Sequence, residues 1–132
     1  MILLDTHAIV WRVIAPERLS RTAASAIRRA QASDGIAIAD VTLFELATLF
    51  GRRGAVRHRG TLEGAIQEVV DSSGANVRPI TPEIATLATQ FPDDYPRDPA
   101  DRLIGGTARA EGLPLITRDE RMRSSPLLKT IG

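Results

Sequence analysis

The chain has 132 residues, 43% hydrophobic and 25% charged, with no cysteine and a formal net charge of +1 from 17 Lys and Arg against 16 Asp and Glu. That is the size and balance of one folded domain, which excludes a disordered chain, and near-neutrality excludes bulk attraction to a polyanion, so any nucleic-acid affinity must come from how the charges are arranged. The missing cysteine removes disulfides, thiolate zinc sites, iron–sulfur clusters and a cysteine nucleophile, and no apolar run approaches the roughly 20 residues of a membrane helix. The start, Met1-Ile2-Leu3-Leu4-Asp5, lacks the basic and apolar regions of a signal peptide. The expectation is a single domain over residues 1–132, cytoplasmic, with no membrane contact.

In chain order, Ile2 to Leu4 is a continuous apolar run, the pattern of a strand buried on both faces. Residues 6–14 carry a short helical pattern that Pro16 breaks. Ser20 is placed to cap a helix through about Ala32, with Ala23, Ala26, Ile27 and Ala30 on its inner face. Ser33-Asp34-Gly35 marks a turn. Ile36 to Ala39 is a second buried strand ending at an acid, Asp40. Residues 41–50 form a largely apolar helix, and Gly51-Arg52-Arg53-Gly54 ends it. A basic loop follows over 55–60. Thr61 caps a helix through Asp71, with Leu62, Ala65, Ile66 and Val69 inward. Asn76 to Ile80 is a short strand, and Pro82 stands in the first turn of a helix to about Gln90. Residues 91–99 form a loop. Asp98-Pro99 opens a helix through Glu111, which Gly112 ends. Leu115 to Thr117 is a fourth strand, residues 119–124 a helical turn, and Leu127 to Ile131 a weak last strand. Strands alternating with helices predict an α/β fold on a short, mainly parallel sheet. Ligands of such sheets bind beyond the carboxyl ends of the strands, so the acids found there form the candidate site.

Asp5 follows the first strand directly, where it suits both a helix cap and a metal ligand. Glu45 lies between Leu43-Phe44 and Leu46-Ala47. Glu is rarely buried without a partner, so Glu45 lies either on a narrow solvated stripe with Thr48 and Arg52 or in a site. Asp98 and Asp101 fall in the first turn of one helix. There a single acid suffices as a cap and a second adds repulsion unless a cation is near. Asp119 stands just beyond the fourth strand, where a turn cap is the simpler role. If these carboxylates share one cleft, their repulsion raises their pKa values until a divalent cation neutralises them. Oxygen ligands without thiolate suit Mg²⁺ or Mn²⁺. Phosphodiester cleavage by metal-activated water is the chemistry such a cluster supports best.

Four segments in order and spacing resemble the PIN-domain ribonucleases, specifically the VapC-type toxins of bacterial toxin–antitoxin pairs. These are Ile2-Leu3-Leu4-Asp5-Thr6-His7-Ala8, Thr42-Leu43-Phe44-Glu45-Leu46-Ala47, Arg97-Asp98-Pro99-Ala100-Asp101-Arg102-Leu103-Ile104 and Gly112-Leu113-Pro114-Leu115-Ile116-Thr117-Arg118-Asp119-Glu120-Arg121. Together they span essentially the whole chain. The resemblance implies a three-layer α/β/α fold and a Mg²⁺-dependent endoribonuclease, with Mn²⁺ as a second candidate metal. It implies Asp5, Glu45, Asp101 and Asp119 as the catalytic, metal-binding acids, Asp98 as a secondary one, and Thr6 and Thr117 as hydroxyls beside the site. It also implies an RNA substrate, a cognate antitoxin protein and a homodimer. Gly105-Gly106 departs from the alanines usual in the family, and each glycine in a helix costs roughly 1 kcal/mol against Ala.

Further arginines are candidates for gripping RNA phosphates: Arg52, Arg53, Arg57 and Arg59 in the basic loop, and Arg102 beside the acids. Arg118 and Arg121 also neighbour the acids. A packing or hydrogen-bonding role is expected for His7. Aromatic residues are only 4%, so stacking platforms are not expected to dominate RNA binding. No phosphate-cradling glycine loop and no nucleophile elbow is present. Two alternatives stand beside the ribonuclease reading: a non-catalytic PIN-like binding domain that uses its acids as caps, and a metal-dependent nuclease acting on DNA.

Overall fold

The computed structural model describes residues 1–51 and 56–132. The strands are β1 (Ile2–Leu4), β2 (Ile36–Ala39), β3 (Asn76–Arg78), β4 (Leu115–Ile116) and β5 (Thr130–Ile131). They form one sheet in the order β3-β2-β1-β4-β5, and every pairing is parallel. The helices are α1 (Thr6–Ile14), α2 (Arg21–Gln31), α3 (Val41–Gly51), α4 (Leu62–Ser73), α5 (Pro82–Ala88), α6 (Pro99–Glu111) and α7 (Glu120–Arg123), with a 3₁₀ turn at Pro16–Arg18. No helix among the described residues is long and apolar enough to cross a membrane.

Strand alternation splits the apolar residues into two cores. Ile2, Leu4, Ile36, Ile38 and Ile116 face one layer, where they meet Ile9 of α1, Ile27 of α2, Leu46 of α3 and Val69 of α4. Leu3, Ala37, Ala39 and Leu115 face the other, against Ile104 and Ala108 of α6, Met122 of α7 and the pair Phe91 and Tyr95. Helices therefore cover both faces of the sheet, the three-layer α/β/α arrangement expected.

The helix starts follow their caps. Ser20 Oγ accepts from the Ala23 amide at 3.0 Å, Thr61 Oγ1 from Gly64 at 3.0 Å and Thr81 Oγ1 from Ile84 at 3.1 Å. Gly112 ends α6 at φ +63°, a left-handed conformation that glycine reaches without strain. The inner face predicted for α2 is buried throughout. Some expectations change. The third strand ends at Arg78 rather than Ile80, and the last covers only Thr130–Ile131 rather than Leu127–Ile131. Leu62, predicted inward, is exposed at the first position of α4. The Gly105-Gly106 pair forms a close contact where the sequence suggested a weak helix. A Cβ at Gly106 would lie 2.8 Å from the Ile84 carbonyl oxygen and 3.0 Å from the Ala88 amide nitrogen, and one at Gly105 would lie 2.7 Å from the Phe91 ring and run into the Tyr95 hydroxyl. The glycines let α6 lie directly on α5 and leave room for the stacked Phe91 and Tyr95 rings, whose centroids are 3.8 Å apart.

Candidate active site

The sheet order sets the site. From β1 the chain crosses to β2 on one side and later returns to β4 on the other. Segments leaving β1 and β4 diverge, and a crevice opens between them at the carboxyl ends of the strands. The Asp5 amide spans it, donating to the Ile116 carbonyl at 3.1 Å. A cavity of about 330 Å³ lies there, with Asp5, Glu45, Asp98, Asp101 and Asp119 in its walls. All five acids singled out by sequence are thus brought to one place.

Each acid is held by the start or the face of a helix. Asp5 is buried and caps α1, its Oδ1 accepting from the Ala8 amide at 2.8 Å. Asp98 caps α6 through the Ala100 amide at 2.8 Å, and Asp119 caps α7 through the amides of Arg121 and Met122 at 2.9 and 3.0 Å. Capping and cavity lining therefore coincide in these residues, since each carboxylate reaches its own helix and still faces the cavity. Glu45 and Asp101 cap nothing. Glu45 is half-buried on α3 and accepts a short hydrogen bond from the Thr6 hydroxyl, whose oxygen lies 3.2 Å from that of Thr42. Its side chain points into the cavity rather than along a solvated stripe. Thr117 is buried, and its hydroxyl oxygen accepts from the Asp119 amide at 3.1 Å.

Electrostatics mark the cluster. Burial pushes the Asp5 carboxyl up, with Asp119 adding to the rise, while a hydrogen bond from Thr117, the Ala8 amide and the His7 charge oppose it. Asp101 rises from 3.8 to about 7, first through desolvation and then through the charges of Asp98, Glu45, Asp119 and Asp5. One carboxyl thus reports repulsion from all the others. The ion pairs among the described residues join Met1 to Asp34, Arg78 to Glu111 and Arg123 to Glu120, so none of them neutralises a cavity acid. No three acidic or histidine side chains close into a ready ligand cage among the described residues. The acids line the walls around an anionic space. That donor set, oxygen alone and mutually repelling, fits a hard divalent cation of the Mg²⁺ or Mn²⁺ kind.

The arginines separate. Arg118 lines the cavity. Arg102 is half-buried on α6 with its guanidinium 6.0 Å from the centre of the Tyr95 ring. Arg57 is exposed, and Arg59 borders a different depression beside Val13 and Phe50. Arg52 and Arg53 lie outside the described residues. His7, for which a packing or hydrogen-bonding role is expected from sequence, is exposed in the cavity wall with its ring 5.9 Å from that of Trp11. Sequence reasoning missed Trp11, which also lines the cavity. Its signal was positional: residue 11 stands one turn beyond residue 7 on the helix that Asp5 opens, and positions four apart share a face.

Fold and cavity together define an α/β protein with a carboxylate-lined cleft at the switch point of a short parallel sheet. Comparison with known proteins gives its family. The PIN domain family matches residues 2–126. Ribonuclease VapC22 of Mycobacterium tuberculosis (strain ATCC 25618 / H37Rv) is 39% identical over 125 residues, covering 93% of this chain and 90% of that protein. In fold, the chain is similar to DNA-bound VapBC from Salmonella typhimurium, with a TM-score of 0.68 at 18% identity over 99% of this chain and 98% of that one. It is likewise similar to FitAcB from Neisseria gonorrhoeae, with a TM-score of 0.66 at 21% identity over 100% and 97%. The chain belongs to the PIN-domain family. Within it the chain is a homologue of the VapC-type ribonucleases, which are typically metal-dependent.

Proposed function

We propose that the protein is a Mg²⁺-dependent endoribonuclease, the toxin of a toxin–antitoxin pair, built as one domain and acting in the cytoplasm as a homodimer. The observation that carries this reading is the convergence of Asp5, Glu45, Asp98, Asp101 and Asp119 on one cavity. A domain that used these acids only as caps would have no reason to hold Glu45 and Asp101 there, since neither caps a helix. Asp5, Glu45, Asp101 and Asp119 would hold the cation, with Asp98 at the edge, and Mn²⁺ meets the same donor set. A divalent cation bound there supplies activation of water and stabilisation of charge on the reacting phosphate oxygens.

The protein's own groups keep the acids in place. The Ala8 amide fixes Asp5, the Arg121 and Met122 amides fix Asp119, and the Thr6 hydroxyl aims Glu45. Such pre-set orientation keeps ligands from rearranging when substrate binds. RNA is the substrate supported by the VapC22 relative. A cognate antitoxin is supported by the toxin–antitoxin complexes of matching fold. The test is cleavage of RNA and of DNA by the purified protein with Mg²⁺ and with chelator. Metal-dependent internal cuts in RNA alone are expected. Cuts in DNA alone would turn the reading to a DNA nuclease, and no cut in either would leave a binding domain.

A further inference from the structure

One part of the cavity wall differs in character from the acids. Trp11, half-buried on α1, belongs to neither core and faces the cavity with His7, whose ring lies 5.9 Å from it. Two guanidiniums from distant parts of the chain converge on the indole. Arg18, from the 3₁₀ turn, stands 5.7 Å from the ring centroid, and Arg118, from the segment after β4, stands 5.8 Å away. Arg118 Nη1 donates to the Arg18 carbonyl oxygen at 3.3 Å, which fixes the two segments together. Both arginines are exposed. Both separations fall within the roughly 6 Å of a cation–π contact, and with Trp11 only half-buried the indole keeps accessible surface.

This wall answers a problem the acids create. A phosphodiester entering among carboxylates meets like charge, and a cation at the floor neutralises only what touches it. Guanidiniums at the rim supply fixed positive charge for the neighbouring phosphates. An indole beside them offers a flat apolar surface, on which any nucleobase can stack. We propose that Trp11, flanked by Arg18 and Arg118, is a stacking platform for an unpaired RNA base next to the phosphate that is cut, with the two arginines gripping the adjoining backbone. The platform needs a base splayed out of any helix, so the substrate class is single-stranded or looped RNA. This inference rests on the ribonuclease reading and specifies how that site takes its substrate.

Trp11 is the chain's single tryptophan, so its fluorescence reports the platform directly. The probes are oligo(A), oligo(U) and an abasic ribose-phosphate strand of equal length, added to the Asp101→Asn protein so that nothing is cut. Oligo(A) and oligo(U) should quench the indole, and the abasic strand should not. In the otherwise wild-type enzyme, Trp11→Ala should raise KM for RNA about tenfold or more, with most of the loss in KM and little in kcat, and Trp11→Phe should restore most of it. Quenching by the abasic strand as well, no quenching by any strand, or an unchanged KM in a folded Trp11→Ala protein overturns the platform. If wild-type protein cuts no RNA while bases still quench Trp11, the ribonuclease reading falls, and with it the placement of the platform beside a cut phosphate, leaving only a base-stacking site. If RNA is cut normally and no base quenches, the platform alone falls.

Discussion

Helix α6 serves two regions built on opposite terms. Its first turn carries Asp98 and Asp101 into the acid cavity, where like charges crowd and one carboxyl is pushed up to about 7. A turn later, Gly105 and Gly106 press against α5, Phe91 and Tyr95 with no space for even a methyl group. The Tyr95 hydroxyl donates to the Asp101 carbonyl oxygen at 2.7 Å and so joins the two regions. Close packing holds acids where repulsion would drive them apart. The first turn of the helix carries the charge repulsion and its middle the close packing, and mutation should separate them.

The largest expected effect lies at the cavity. The Asp5→Asn, Asp101→Asn double variant keeps size and some capping ability but removes two charges. RNA cleavage should fall on the order of a thousandfold or more. Its metal-free melting temperature should hold or rise, because repulsion is relieved. Undiminished cleavage by the folded double variant would end the nuclease reading. In cells, wild-type protein should arrest growth and the double variant should not.

The packed middle should respond in the opposite sense. Gly→Ala inside a helix ordinarily stabilises by about 1 kcal/mol. Gly106→Ala should instead destabilise by about 1–3 kcal/mol, because its Cβ would meet the backbone of Ile84 and Ala88. Denaturant unfolding measures it, and a gain in stability would show that α5 and α6 are free to part. Cleavage per folded molecule should change little.

A smaller effect follows from pH. The unfolded Asp101 carboxyl titrates near 3.8 and the folded one near 7. Between those values the folded state binds more protons than the unfolded one. Metal-free stability should therefore fall as pH rises through that window and level off above it. Mg²⁺ at neutral pH should restore it by mass action, and Asp101→Asn should flatten the slope. Urea midpoints at pH 5 and pH 8, with and without Mg²⁺, decide the point. Smallest is Arg57→Ala, on the exposed surface. If Arg57 grips a phosphate, the salt slope of RNA binding should drop by about 1 with saturated cleavage retained. An unchanged slope assigns Arg57 to the solvated surface.

Much of this was legible in the chain itself. Buried strands announce themselves as short apolar runs, and helix starts as Ser20, Thr61, Thr81 and Asp98 in front of periodic segments, because local hydrogen bonds and side-chain period depend on neighbours in sequence. Asp5, Asp98, Asp101 and Asp119 were legible for the same reason, each sitting at a strand end or a helix start, and Glu45 stood out as a carboxylate among apolar neighbours. The tertiary structure decided what no local rule carries. It aimed Glu45 through Thr6, a residue 39 positions away. It turned two glycines from a helix weakness into the contact between α5 and α6, since close approach depends on what lies opposite. It also brought Arg18 and Arg118, 100 residues apart, over Trp11. Order along the chain determined which residues have the right chemistry. The return of the chain to the far side of β1 determined which of them meet, because the crevice exists only where the two crossings diverge.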